Sequence, residues 1–445
     1  MIDALGFHGR VNHYVGALWF YELVASQFTY ASAQIDFTGT AVFSFTSSQE
    51  TSLVIGRHDD PTNSTTITHL HYIGDTAETI AKAFEMNINW GSMSVRAVAQ
   101  GTVLTITSRT LGSDSNHTTV TATSTSLVPQ PASQNLAGGT DGTWLTDLQA
   151  MPRLNRAARD WSRSFFTALK GYGLDGVASL SMELGNGDDS TAAGIAQRCP
   201  AGDPVWVSTP ALQTNFSPAS LAFWQQAYCD VAQTMSDAGM QPYLQFGEVQ
   251  WWYFRDNRSG MPYYDAYTTS TFLAQYGRPM QTILDNTVSP ADCPQEAQFL
   301  PTLIGAFTSQ IMAHVRATFP TCRFEVLYPL DVNSTDFNRA INYPAGAWTP
   351  AALDCLKTES FGFTSARDLN ECLTSIQFPQ TQGFAPQASA HLVGIGDLTT
   401  PWLKEARLAQ AVGVESVVLF ALDQLCLIGY PLPLPSGLRR AFFQG

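Results

Sequence analysis

The chain has 445 residues, 44% of them hydrophobic and only 13% charged, which describes a well-packed globular protein long enough for two or three domains. Its 37 acidic residues outnumber 23 basic ones, for a formal net charge of −14. That balance argues against nucleic acid or an anionic membrane surface as a partner, since both need clustered positive charge.

The opening MIDALGFHGRVNHYVG lacks a basic segment followed by an apolar core, so no signal peptide is expected. No run approaches the roughly 18 apolar residues that suggest a membrane helix. The seven Cys all follow position 198, none in a CxxC pair, and the eight His lack HExxH spacing. Neither a zinc site nor a disulfide framework is expected, and no metal or cofactor; a pairing such as Cys355 with Cys372 stays open.

Residues 1–24 read as an N-terminal segment or strand, and 25–144 as a β-rich α+β module. Alternating, Thr- and Val-rich runs at 31–47, 52–58, 66–74, 93–108 and 118–125 predict its strands. One helix is predicted over 75–89, with Asp75 or Thr76 as N-cap, Glu78 placed for a capping box with Asp75, and an apolar stripe of Ile80, Phe84 and Ile88. The phrases 76-TAETIA-81, 95-VRAVAQGTVLTIT-107, 112-GSDSN-116 and 138-GGTDG-142 occur in series. This order resembles modules of phage tail sheath and related tail-tube-associated proteins. The resemblance covers about a quarter of the chain; an unrelated β-sandwich module with Gly-Asp turns is the alternative.

From residue 145 to 445 helices alternate with short apolar strands, at 176–184, 205–208, 241–249, 322–329, 360–364, 389–397 and 415–423. A long helix is predicted over roughly 148–171, with Leu154, Ala158, Trp161, Phe165 and Leu169 on one face, and others over 217–239, 297–319, 366–376 and 400–413. Buried strands alternating with helices mean a parallel sheet. The fold class expected is α/β, a (β/α)8 TIM-like barrel preceded by the small module. The eighth strand is not evident, and the segment 14–24 is one candidate; an open doubly wound sheet is the alternative. No GxGxxG follows a strand and no GxSxG elbow occurs, so dinucleotide-binding and α/β-hydrolase folds lack support.

In such barrels chemistry sits where strands end. Acids and polar groups at those ends are Glu183, Glu248, Tyr328, Asp331, Asp397 and Asp423. Asp397 and Asp331 also suit the simpler role of helix caps, and the GNGDD turn at 185–189 lacks the pattern of a calcium loop. Glu183 and Glu248 each close an apolar run ahead of a long loop, which makes them the candidate catalytic pair, general acid and nucleophile or base. The loop after Glu248 carries Trp251, Trp252, Tyr253, Tyr263 and Tyr264, and the loop after 208 carries Gln213 and Asn215. Flat rings beside amides and acids suit a sugar, so these residues, with Tyr328, Asp331, Asp397 and Asp423, are the expected substrate contacts. The region resembles (β/α)8 glycoside hydrolases, though without their frequent Asn-Glu-Pro phrase. The same aromatics could instead build a subunit interface.

The reading that results is a sheath-like shell protein of a phage tail, contractile or non-contractile, carrying a glycosidase-like barrel that binds or cleaves surface glycans. Its expected partners are copies of itself, a tail-tube protein and a polysaccharide; its expected place is a virion tail made in the bacterial cytoplasm. A free-standing glycoside hydrolase with an accessory β domain, and a non-enzymatic glycan-binding adhesin, are the alternatives.

Overall fold

The computed structural model describes residues 10–15, 20–41, 47–60, 62–92, 94–207, 211–252, 260–394 and 400–421. Two compact units emerge, one of residues 1–23 with 146–445, the other of residues 24–145. The second unit is thus inserted into the first rather than preceding it, because a strand N-terminal to it belongs to the barrel.

The first unit is a nearly closed parallel barrel, seven strands among the described residues. In chain order these are β1 (Arg10–Val15), β2 (Asp175–Ser181), β3 (Tyr243–Gly247), β4 (Arg323–Pro329), β5 (Cys355–Glu359), β6 (Ser389–Gly394) and β7 (Ser416–Phe420), and each pairs with the next. The Arg10 guanidinium spans the gap between first and last strands, donating to both carboxylate oxygens of Glu415 at 3.1 and 2.6 Å. Helices α1 (Arg156–Gly171), α2 (Pro218–Asp237), α3 (Ala266–Tyr276), α4 (Pro294–Thr318), α5 (Asp336–Asn342), α6 (Phe361–Ser365), α7 (Leu369–Thr381) and α8 (Trp402–Val412) connect them. Phe246 of β3 and Phe324 of β4 stack at 5.6 Å in the core formed with these helices.

The barrel interior is polar where branched aliphatics usually fill it. Lys357 donates to Gln245 at 2.7 Å and to the Glu325 carboxylate, while Gln245 donates to Ser179 at 2.6 Å and accepts from Asn12 at 3.2 Å. A buried ion pair of this kind gains little net stability, but breaking it strands a charge.

Four sequence expectations need correction. The strand expected at 360–364 is helix α6, and the true strand is Cys355–Glu359, whose Lys357, Thr358 and Glu359 interrupt any apolar run. The expected strand at 205–208 contributes only Trp206–Val207, to a small antiparallel sheet with Glu183–Gly185 and Ala211–Gln213 outside the barrel. The N-terminal barrel strand is Arg10–Val15 instead of 14–24. The buried face of α1 is Ala158, Ser162, Phe166 and Leu169, leaving Trp161 56% exposed. Cys355 and Cys372 are both free thiols.

The inserted unit packs two four-stranded sheets with one helix, Ala77–Gly91. Ile80, Phe84 and Ile88 of that helix are fully buried against Ile35, Phe37, Leu104 and Ile106, as their spacing predicts. Its capping box joins Thr76 and Thr79, each side-chain oxygen accepting the other's backbone N–H at 3.2 and 2.8 Å, instead of Asp75 and Glu78. The GSDSN and GGTDG turns hold one another: Asn116 accepts from the Gly139 N–H at 2.9 Å and donates to its carbonyl at 2.8 Å. A side chain at Gly139 would collide with the Gly112 carbonyl and the Ser115 hydroxyl, both 2.5 Å from an added Cβ.

Candidate active site

Four carboxyl groups gather at the C-terminal end of the barrel strands. Glu248 follows directly on Gly247, the last residue of β3, and adopts a left-handed backbone with φ of +52°. That conformation is costly for a side chain with a Cβ, and such strain concentrates at functional sites. Glu183 begins the small antiparallel sheet just beyond β2, in register with Gln213. Tyr14 of β1 reaches it from the other side, its hydroxyl 3.3 Å from the Glu183 carboxylate and 2.8 Å from Ser181 Oγ.

Asp331 lies two residues past β4 and accepts backbone N–H bonds from Gly362 at 2.6 Å and Val332 at 2.9 Å. It therefore braces the start of α6; the cap of α5, which the sequence offered it, is Thr335. The fourth acid, Glu359, was missed. It ends β5 and is 5% exposed. Lys357, two residues earlier on the same strand, points into the barrel, so strand periodicity sends Glu359 the same way, one layer nearer the mouth. Placing the strand at 355–359 would have exposed this acid as a strand-end carboxyl.

Electrostatics bind the group together. Burial, then the nearby Glu183 and Asp331 carboxyls, push Glu248 up to about 8. Glu359 is raised well above the carboxylate range by burial, then by Glu248, Asp331 and Glu405. Glu183 is raised by burial, while Tyr14, Gln213 and Ser181 favour its charged form. Asp331 is raised by burial against the pull of its two backbone donors. One site thus holds carboxyls with different proton affinities, which general acid–base chemistry requires. Beneath it, the buried Glu405 of α8 accepts from Ser360 at 2.7 Å, from Thr364, and pairs with His391 Nε2 at 2.8 Å, locking β5, β6 and α8 together.

The remaining expected contacts divide. Gln213 lies at the site beside Glu183 and is fully buried. Asn215 does not reach it; its side chain donates to Gly194 and Ala196 carbonyls at 3.0 and 3.3 Å and accepts from Ser217 and Ser220 at 3.1 and 2.9 Å, organising the start of α2. The aromatics expected as an open platform are instead packing groups. Trp251 is 1% exposed, set edge-on to Phe216 with its Nε1 donating to the Leu300 carbonyl at 3.3 Å. Tyr263 is 0% exposed and Trp252 is buried against Cys199 and Val205. The Tyr264 hydroxyl donates to the Gln281 carbonyl and accepts from the Ile283 N–H, both at 2.6 Å. Tyr328 faces the helix layer, stacked on Phe378. Apolar area in these rings outweighs their polar tips. Tyr253, Asp397 and Asp423 lie outside the described residues.

Among the described residues no group of three or more His, Cys, Asp or Glu is placed to hold a metal ion. The same residues include no helix long and apolar enough to cross a membrane.

No curated protein matches the chain. Among solved structures it is similar to the catalytic domain of a β-amylase from Paenibacillus polymyxa, at 12% identity and a TM-score of 0.46, covering 65% of this chain and 86% of that one. It is also similar to a β-galactosidase from Rahnella sp. R3, at 13% identity and a TM-score of 0.39, covering 58% of this chain but only 42% of that one. A GH18 chitinase from Pseudoalteromonas aurantia matches at 8% identity and a TM-score of 0.32, over 63% of this chain and 78% of that one. These likenesses are too distant to assign an activity. The family model described as the non-contractile tail sheath protein TIM barrel matches residues 135–430, well over half of the sequence. By that match the chain belongs to the non-contractile tail sheath protein TIM-barrel family.

Proposed function

We propose that the chain is a shell subunit of a phage-type tail, assembling with copies of itself around a tail tube, and that its barrel mouth binds or cleaves a surface glycan. The family membership carries the assembly half of this reading. It implies a virion component made in a bacterial cytoplasm. The carboxyl cluster supports the glycan half. Glu248, protonated at neutral pH, is suited to donate a proton to a leaving glycosidic oxygen. Glu183, raised by burial but drawn toward its ionised form by Tyr14, Gln213 and Ser181, is suited to act as base or nucleophile.

Two experiments test the halves separately. Co-expressed with a tail-tube protein, the chain should form rings or tubes in negative-stain images; a chain that stays monomeric at high concentration contradicts the assembly half. Release of reducing ends from polysaccharide should fall by about 10²–10⁴-fold in Glu248→Gln, the range general acid catalysis contributes. Binding that survives this substitution, with no turnover by the unmutated protein, identifies a glycan-binding barrel instead of a hydrolase.

A further inference from the structure

The mouth of the barrel is acidic to a degree that restricts what it can accept. Glu248 after β3, Asp331 after β4 and Glu359 at the end of β5 come from consecutive strands, with Glu183 beyond β2. The neighbours acting on Glu248 are Glu183 and Asp331, and those acting on Glu359 are Glu248, Asp331 and Glu405, all acids. The barrel's own cations are committed lower down. Lys357 is held by Gln245 and Glu325, and Arg10 by Glu415 at the foot of the strands.

A second observation points to a ligand. Gln213 is 0% exposed and sits across from Glu183 in register; its amide group favours the Glu183 carboxylate, yet its amide oxygen accepts no hydrogen bond within the protein. A buried amide left this way is costly. The oxygen and the second N–H of the amide match a hydroxyl, which both donates and accepts. The adjoining carboxyl groups offer further acceptors to hydroxyl donors, and burial strengthens each such bond.

Resting on the carbohydrate reading above, we propose that this site takes a saccharide free of anionic substituents, with Gln213 engaging its hydroxyls and the acid ring excluding uronate, sialate, sulfate and phosphate groups. An anionic substituent entering the mouth would lose its water and meet carboxyl groups with no cation among the described residues acting on Glu248 or Glu359 to compensate it. Hydroxyls meet acceptors, and a donor where a carboxyl holds its proton, that they can satisfy, and an amino group gains a favourable charge. Like-charge juxtaposition here acts as a filter on partners.

The test is a glycan array probed with the full chain at neutral pH, carrying neutral, amino-bearing and uronate-, sialate- or sulfate-bearing oligosaccharides of matched length. The expected result is retention of neutral or amino-bearing chains, with anionic counterparts of the same backbone bound at least about tenfold more weakly, the ratio that 1.4 kcal/mol supplies. Glu183→Gln should narrow that ratio by removing one repelling carboxylate. Gln213→Leu should weaken neutral ligands while leaving the ratio in place. Preference for anionic chains, or equal binding of both classes, overturns the charge filter and leaves the carbohydrate reading standing. Absence of binding to every class defeats both.

Discussion

Replacing Glu248 by Gln should change how stability depends on pH, and the size of the change follows from the site. Burial beside Glu183 and Asp331 raises this carboxyl from an ordinary 4.5 to about 8. Between those values the folded chain holds a proton that the unfolded chain has lost. Stability therefore falls as pH rises through this window and levels off on either side. Each pH unit crossed costs up to about 1.4 kcal/mol, so the full window bounds the loss at about 5 kcal/mol. Glu359 shares the burden, because the two acids influence one another, and roughly 2–3 kcal/mol is the working figure for Glu248 alone. Gln keeps the shape and removes the titration. Urea denaturation of both proteins at about pH 4.5, 7 and 9, at fixed ionic strength, supplies the comparison. Glu248→Gln should be more stable by that amount at the alkaline end and nearly equal to the parent at the acid end. Parallel pH profiles, or a variant that is weaker at alkaline pH, would refute the argument that the acids crowd one another.

Three further outcomes probe the frame that carries the site. Lys357→Met should cost about 3–5 kcal/mol by stranding the buried Glu325 carboxylate, and adding Glu325→Leu should restore most of it, read from denaturation midpoints. Trp251→Ala should cost about 3–5 kcal/mol, since the ring is core packing; a neutral effect on stability with a loss of glycan binding would return it to the role of platform. Thr76→Ala should remove about 1 kcal/mol from the inserted unit by breaking the capping box, measured by hydrogen exchange along Ala77–Gly91.

Parts of this architecture could be read directly from the sequence. Ile80, Phe84 and Ile88 lie on one helical stripe, and all three are buried. The apolar runs around 176, 243, 323, 389 and 416 became barrel strands because their outward residues pack under helices. β5 was hidden for a physical reason: Lys357 answers Glu325 on the neighbouring β4 and Thr358 answers His391 on β6 at 2.9 Å, so a buried strand carries polar residues in succession. Misplacing it by five residues concealed Glu359. Aromatic density past Glu248 signalled burial more than exposure, since Trp251 and Tyr263 are buried in one core with residues of α2 and α4. Glu248 itself stood out as an acid ending an apolar run, but its left-handed backbone and its interaction with Glu359 depend on strand order and register, which periodicity does not encode.

The central claim, that the carboxyl-lined end of the barrel is where a ligand sits, is tested most directly by a crystal structure of the full chain soaked with an uncharged oligosaccharide retained on the array. The account predicts sugar density with a glycosidic oxygen within hydrogen-bond reach of Glu248, and a hydroxyl on the Gln213 amide. Density confined to another face of the barrel, with the four acids closed to solvent, would contradict it.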